Sequence, residues 1–149
     1  MAIFGLNSQS LKSLEGDWND VPADMSLDSK QVVAFYFSAH WFPPCRNFAP
    51  IIKDAYDEYF EESSDIEIVF VSSDRSLEDM QEYMKTSHGS WLALPYNSEF
   101  GASLKSRFNI QGIPALIVCK RDGKVITKDG RGEIQRAGTD AMRQWLTKI

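Results

Sequence analysis

The sequence predicts an α/β protein, a three-layer α/β/α sandwich around a mixed central sheet. Three observations lead there. Apolar runs of strand length, Val32–Ser38 and Ile66–Ser72, alternate with stretches whose apolar residues recur at helical spacing. The first run passes through a proline-rich turn directly into one of those helices. Asp122-Gly123 lies between two further strand-like runs and is a hairpin signal, with a helical pattern after it.

In chain order, the residues up to about Lys30 are mixed and polar, with Gly16-Asp17 as a turn. Val32–Ser38 reads as a buried strand. From Pro44 onward Phe48, Ile51, Ile52, Ala55, Tyr56, Tyr59 and Phe60 define one helix face, with Asp54, Asp57, Glu58 and Glu61 opposite. Pro50 falls inside that pattern and should kink the helix, since it lacks an N–H and crowds the preceding turn. Ile66–Ser72 is a second buried strand. Ser76 can then cap a helix running to Lys85, with Glu78 and Asp79 suited to its first turn. His88-Gly89-Ser90-Trp91 forms a loop, and a helix follows over 100–108. Gly112-Ile113-Pro114 leads into a strand over 115–119, paired through the hairpin with 124–127. Thr139 suits the N-cap of a last helix over 140–148, whose Met142, Trp145 and Leu146 share a face. With no repeat, low-complexity tract or linker-like run, a single domain over 1–149 is expected.

A chain of 149 residues can bury a substantial core, and 43% hydrophobic with 25% charged residues is an ordinary globular composition. The net charge of −5 argues against nucleic acid and anionic membranes as partners. Apolar stretches are strand-sized, too short to span a bilayer. The first residues lack a basic stretch followed by a long apolar one, so no secretory signal is visible. Two cysteines in such a chain fit a reducing compartment, cytoplasm or nucleus.

Trp41-Phe42-Pro43-Pro44-Cys45 carries the functional information. A strand, a sharp proline turn and a helix with Cys at the junction is the setting of a Cys-x-x-Cys dithiol. Free N–H groups and the helix dipole at such a junction favour a thiolate. In these motifs the first Cys attacks a disulfide and the second, one turn on, resolves the mixed disulfide. Here the first position holds Phe42, and only the resolving position, Cys45, carries sulfur.

This motif, with Phe35-Tyr36-Phe37-Ser38-Ala39-His40 before it, Val71-Ser72-Ser73-Asp74-Arg75-Ser76, Trp91-Leu92-Ala93-Leu94-Pro95-Tyr96 and Gly112-Ile113-Pro114-Ala115-Leu116, resembles the nucleoredoxin/tryparedoxin branch of the thioredoxin superfamily. The resemblance implies a thioredoxin-like fold and protein-disulfide reductase chemistry without a cofactor. It implies a cis peptide bond before Pro114, facing the motif, although composition alone reads Pro114 as a turn residue before a strand. It also implies a substrate surface of Trp41, Pro43, Pro44, Ile113 and Pro114, where an extended peptide could pair with the Ile113 backbone. The branch has Trp-Cys-Pro-Pro-Cys, so Phe42 marks a lost nucleophile, through natural loss or an introduced change. Tryparedoxins hold an aromatic where this chain has Ser73 and an acid where it has Arg75, which argues against their dithiol–polyamine donor.

Other residues read more plainly. Cys119 lies five positions beyond Pro114, about 16 Å along an extended strand, and is filler out of reach of Cys45. Tyr36 is expected in the core with a hydrogen-bonded hydroxyl, and Trp41 partly exposed. His40, His88 and Cys45 match no metal-ligand template, so no metal is expected. The expected partners are proteins or peptides with disulfides, or signalling proteins, met by a monomer. The chain thus reads as an oxidoreductase lacking its attacking thiol, with two alternatives: a non-catalytic peptide-binding module, or a one-thiol redox sensor through Cys45.

Overall fold

The computed structural model describes residues 10–13 and 19–149. Its centre is strand β3 (Val32–Ser38), buried along its whole length. It pairs in parallel with β4 (Ile66–Ser72) on one side and antiparallel with β6 (Ala115–Lys120) on the other. A strand enclosed on both edges and both faces has no solvent side to reserve for polar residues, hence the unbroken apolar run.

Beyond β4 lie β5 (Leu92–Ala93), parallel to it, and then the antiparallel pair β1 (Ser10–Ser13) and β2 (Asn19–Pro22). Beyond β6 lies β7 (Val125–Thr127). The seven-stranded sheet has the order β2-β1-β5-β4-β3-β6-β7. The expected mixed α/β sandwich is therefore present.

Alternation along β3 divides the core in two. Val32, Ala34 and Tyr36 pack with Phe48 and Ile52 of helix α2 (Pro43–Glu62), Met80 and Tyr83 of α3 (Leu77–Ser87), Ile134 of α5 (Gly130–Ala137) and Trp145 of α6 (Thr139–Leu146). Val33, Phe35 and Phe37 pack on the other face with Leu104 of α4 (Glu99–Arg107), with Phe108 just after it, and with Leu27 at the end of the short α1 (Ala23–Ser26).

Several sequence expectations hold locally. Ser76 caps α3, its hydroxyl accepting the Asp79 N–H at 3.0 Å. The Asp122-Gly123 turn joins β6 to β7, with Gly123 at φ 95°. α2 starts at Pro43, one residue early, and continues through Pro50 as one helix with that ring exposed.

Others need correction. The polar N-terminal region contains a hairpin, β1 and β2, whose facing Lys12 and Asp20 form a 2.6 Å ion pair. Gly16-Asp17 lies outside the described residues. The C-terminal part has two helices rather than one. Gly138, at φ 57° and ψ −132°, separates α5 from α6 and takes the N-cap position expected for Thr139. Thr139 is instead the first helical residue, and its hydroxyl donates to the Ala55 carbonyl at 3.5 Å. Gly130, Gly132 and Gly138 lower helix propensity enough to hide α5 in the sequence.

Candidate functional site

β3 ends at Ser38 and α2 begins at Pro43, so residues 39–42 must turn the chain at the edge of the sheet. Phe42 is the N-cap and makes no side-chain capping bond. Pro43 and Pro44 occupy the first two helical positions, where a missing N–H costs nothing. The next two N–H groups, of Cys45 and Arg46, both donate to the Phe42 carbonyl at 2.9 and 3.2 Å. The free donors expected to favour an anion here are therefore absent or engaged.

Cys45 is fully buried on the core side of α2. The Tyr83 hydroxyl donates to its carbonyl at 3.3 Å and contacts the hydroxyls of Ser38 at 2.8 Å and Tyr36 at 3.4 Å. Tyr36 is thus the core tyrosine with a bonded hydroxyl that was expected. Burial raises both phenol pKa values and keeps this cluster protonated. The Arg46 guanidinium turns back to the His40 carbonyl at 3.0 Å, fastening the turn.

The outer face is aromatic. Trp41 is 41% exposed, its indole N–H donating to the Ser73 carbonyl at 2.9 Å. The Arg75 guanidinium lies 4.6 Å from the Trp41 ring centroid, within cation–π range, and Phe42 packs on the same indole at 5.5 Å. Phe42 is half-buried. The Ile113–Pro114 bond is cis. Because Ala115 pairs with Phe37, Pro114 lies at the same end of the sheet as the motif. Pro114 is buried and Ile113 half-buried, whereas Pro43 is exposed and Pro44 half-buried.

Asp74, buried in the loop after β4, ties the site together. One carboxylate oxygen accepts the His40 N–H at 2.8 Å and the other the Ser72 hydroxyl at 2.7 Å. Tyr96 donates to the Asp74 carbonyl at 3.0 Å, beside a cavity of about 260 Å³ that Lys105 also lines. In the sequence Asp74 and Arg75 stand out only as part of a resemblance. Their roles depend on partners 34 residues away, His40 and Trp41; the local signal is the Ser72-x-Asp74 turn, where the Asp74 N–H donates to Ser72 Oγ at 3.0 Å. A larger cavity of about 780 Å³, lined by Tyr56, Glu67, His88 and Trp91, sits beside the start of β4, away from the motif.

Cys119 pairs with Val33 at the other end of β3 and belongs to the core face opposite α2. Both cysteines are free and buried, and burial pushes the Cys119 thiol up to about 12. Among the described residues no group of three His, Cys, Asp or Glu is arranged to hold a metal. No helix among them is long and apolar enough to cross a membrane.

The fold and this strand–turn–helix site define a class, and comparison with known proteins agrees. A family model described as thioredoxin-like matches residues 30–125. Nucleoredoxin of Mus musculus is 46% identical over 114 residues, covering 73% of this chain and 26% of that protein. The structure of thioredoxin related protein 16 from Carcinoscorpius rotundicauda matches with a TM-score of 0.81 at 44% identity, covering 97% of this chain and 99% of that one. Tryparedoxin I of Crithidia fasciculata matches with a TM-score of 0.76 at 34% identity, over 89% and 88% of the two chains. The chain belongs to the thioredoxin-like family, with nucleoredoxins among its relatives. It spans about a quarter of the length of the nucleoredoxins it matches.

Proposed function

We propose that this chain is a redox-family protein that has lost dithiol turnover and keeps the substrate surface as a site for extended peptides. One observation carries this reading: Phe42 stands at the N-cap position while the nearby thiol, Cys45, is fully buried. Disulfide reduction begins when an accessible thiolate attacks one sulfur, forming a mixed disulfide and expelling the other sulfur as thiolate; a second thiol then releases the product. Phe42 cannot perform the first step, and Cys45, at the resolving position, has no mixed disulfide to act on. Trp41, Phe42, Pro43, Pro44, Ile113 and Pro114 still offer an apolar end of the sheet to a protein or peptide segment. The burial of Cys45 counts against the one-thiol sensor. Two free cysteines suit the cytoplasm or nucleus.

Insulin disulfide reduction tests the first half. The chain as it stands should show no turnover, and Phe42→Cys should restore it; turnover by the Phe42 form would overturn the reading. Binding of a thiol-free extended peptide, retained by Cys45→Ser and lost by Trp41→Ala, tests the second half.

A further inference from the structure

We infer that the segment this surface receives is acidic, its Asp or Glu side chains flanking the residue seated at Trp41 and Phe42. The inference rests on the peptide-binding reading and adds the partner's chemistry. The chain carries a net charge of −5, yet four cations are tied by direct contacts to the site. Arg46 is held at the His40 carbonyl and Arg75 lies over Trp41. Lys105 donates at 3.0 Å to the hydroxyl of Ser73, the residue whose carbonyl receives Trp41. Arg131 reaches the Pro114 carbonyl at 3.5 Å.

Among the described residues none of these four is in an ion pair. The pairs belong to Lys12, Lys53, Arg136 and Arg143, all away from the motif. Asp74, the carboxylate built into the site, is buried with both oxygens accepting hydrogen bonds. Glu78 and Asp79 open α3 nearby without coming within ion-pair distance of the four. Lys105 is half-buried, and that desolvation lowers its pKa without a carboxylate to offset it. An anion arriving beside Lys105 would supply the missing counter-charge.

The geometry favours a short peptide over a nucleic acid. A long polyanion would feel the negative charge of the whole molecule, including the acidic outer face of α2. A few carboxylates docked within about 10 Å of the four cations feel mainly those cations, because salt screens the rest.

Short fluorescent peptides without cysteine, identical except for flanking Glu, Gln or Lys, test the inference by fluorescence anisotropy. The Glu peptide should bind about tenfold more tightly than the Gln peptide and the Lys peptide most weakly, with the preference shrinking at high salt. Lys105→Gln and Arg131→Gln should each lower the Glu-to-Gln affinity ratio a few-fold. If the Gln and Glu peptides bind equally, the peptide surface stands and the acidic preference falls. If no peptide binds, the underlying reading fails. Displacement of the Glu peptide by polyuridylate at matched charge concentration would show an unspecific anion surface and overturn the inference.

Discussion

Burial holds the Glu67 carboxyl up at about 7, against 4.5 in an unfolded chain, although the Ile68 amide and Tyr56 hydroxyl donate to it. His88 is the converse. Packed among Tyr36, Phe70, Tyr83 and Trp91, its imidazole is pushed down to about 3 from 6.5, chiefly by burial. Between pH 4.5 and 6.5 the folded state holds the Glu67 proton that the unfolded state releases, so this group makes stability fall as pH rises. Over the same interval the unfolded state binds a His88 proton that the folded state refuses, so that group makes stability rise. Each amounts to about 2–3 kcal/mol across the window, and they oppose each other. Urea unfolding at several pH values should expose them. Relative to the parent chain, Glu67→Gln should gain stability with rising pH and His88→Phe should lose it. Parallel stability profiles would refute the assignment. At the same scale, native chain treated with an aromatic disulfide reagent at neutral pH should label slowly, because both thiols are buried, and give two labels once unfolded. Rapid labelling of Cys45 in the folded chain would revive the sensor reading.

Helices α5 and α6 follow one another with a single residue between them, and Gly138 makes that possible. Its φ of 57° with ψ of −132° is backbone that side-chain-bearing residues rarely adopt, while no atom lies within 4 Å of where a Cβ would stand. Gly138→Ala should therefore destabilise by about 1–3 kcal/mol through backbone strain alone. Gly112→Ala is the control: it has equally open space and no such φ, so its melting temperature should stay near the parent's or rise slightly. Equal effects from both substitutions would show that strain at Gly138 is not what divides the helices. The start of α2 follows similar local logic. Two prolines and a carbonyl of Phe42 that receives two N–H groups define a tight helix entry without any side-chain cap.

For the molecule as a whole, the motif lies at one end of a sheet whose core is built elsewhere. Phe42 is half-buried, packs its ring on Trp41 and belongs to neither core cluster. Phe42→Cys, kept reduced, should therefore melt cooperatively within about 1 kcal/mol of the parent, while disulfide reduction changes from absent to present. A large loss of stability would mean that the ring supports the fold as well as the surface. The separation of core from site means that a substitution at the motif can leave the shape of the molecule intact.

The sequence by itself determined the elements whose signals are local. Val32–Ser38 and Ile66–Ser72 are strands because they are short runs dominated by apolar, β-branched and aromatic residues, Ser76 caps because of its own hydroxyl, and Asp122-Gly123 turns because glycine accepts positive φ. It also located the motif and the absence of sulfur at Phe42. It missed β1, β2 and β5, which are two to four residues long and exist through pairing with neighbours. Only the tertiary structure decided what surrounds the motif: Arg46 turned to His40 instead of toward the thiol, Asp74 bonded to His40, Tyr83 placed under Cys45, and Lys105 and Arg131 brought to the same end of the sheet. Apart from the Arg46 contact, these join residues 17–38 positions apart, and such contacts are fixed by how the strands order themselves rather than by any local pattern.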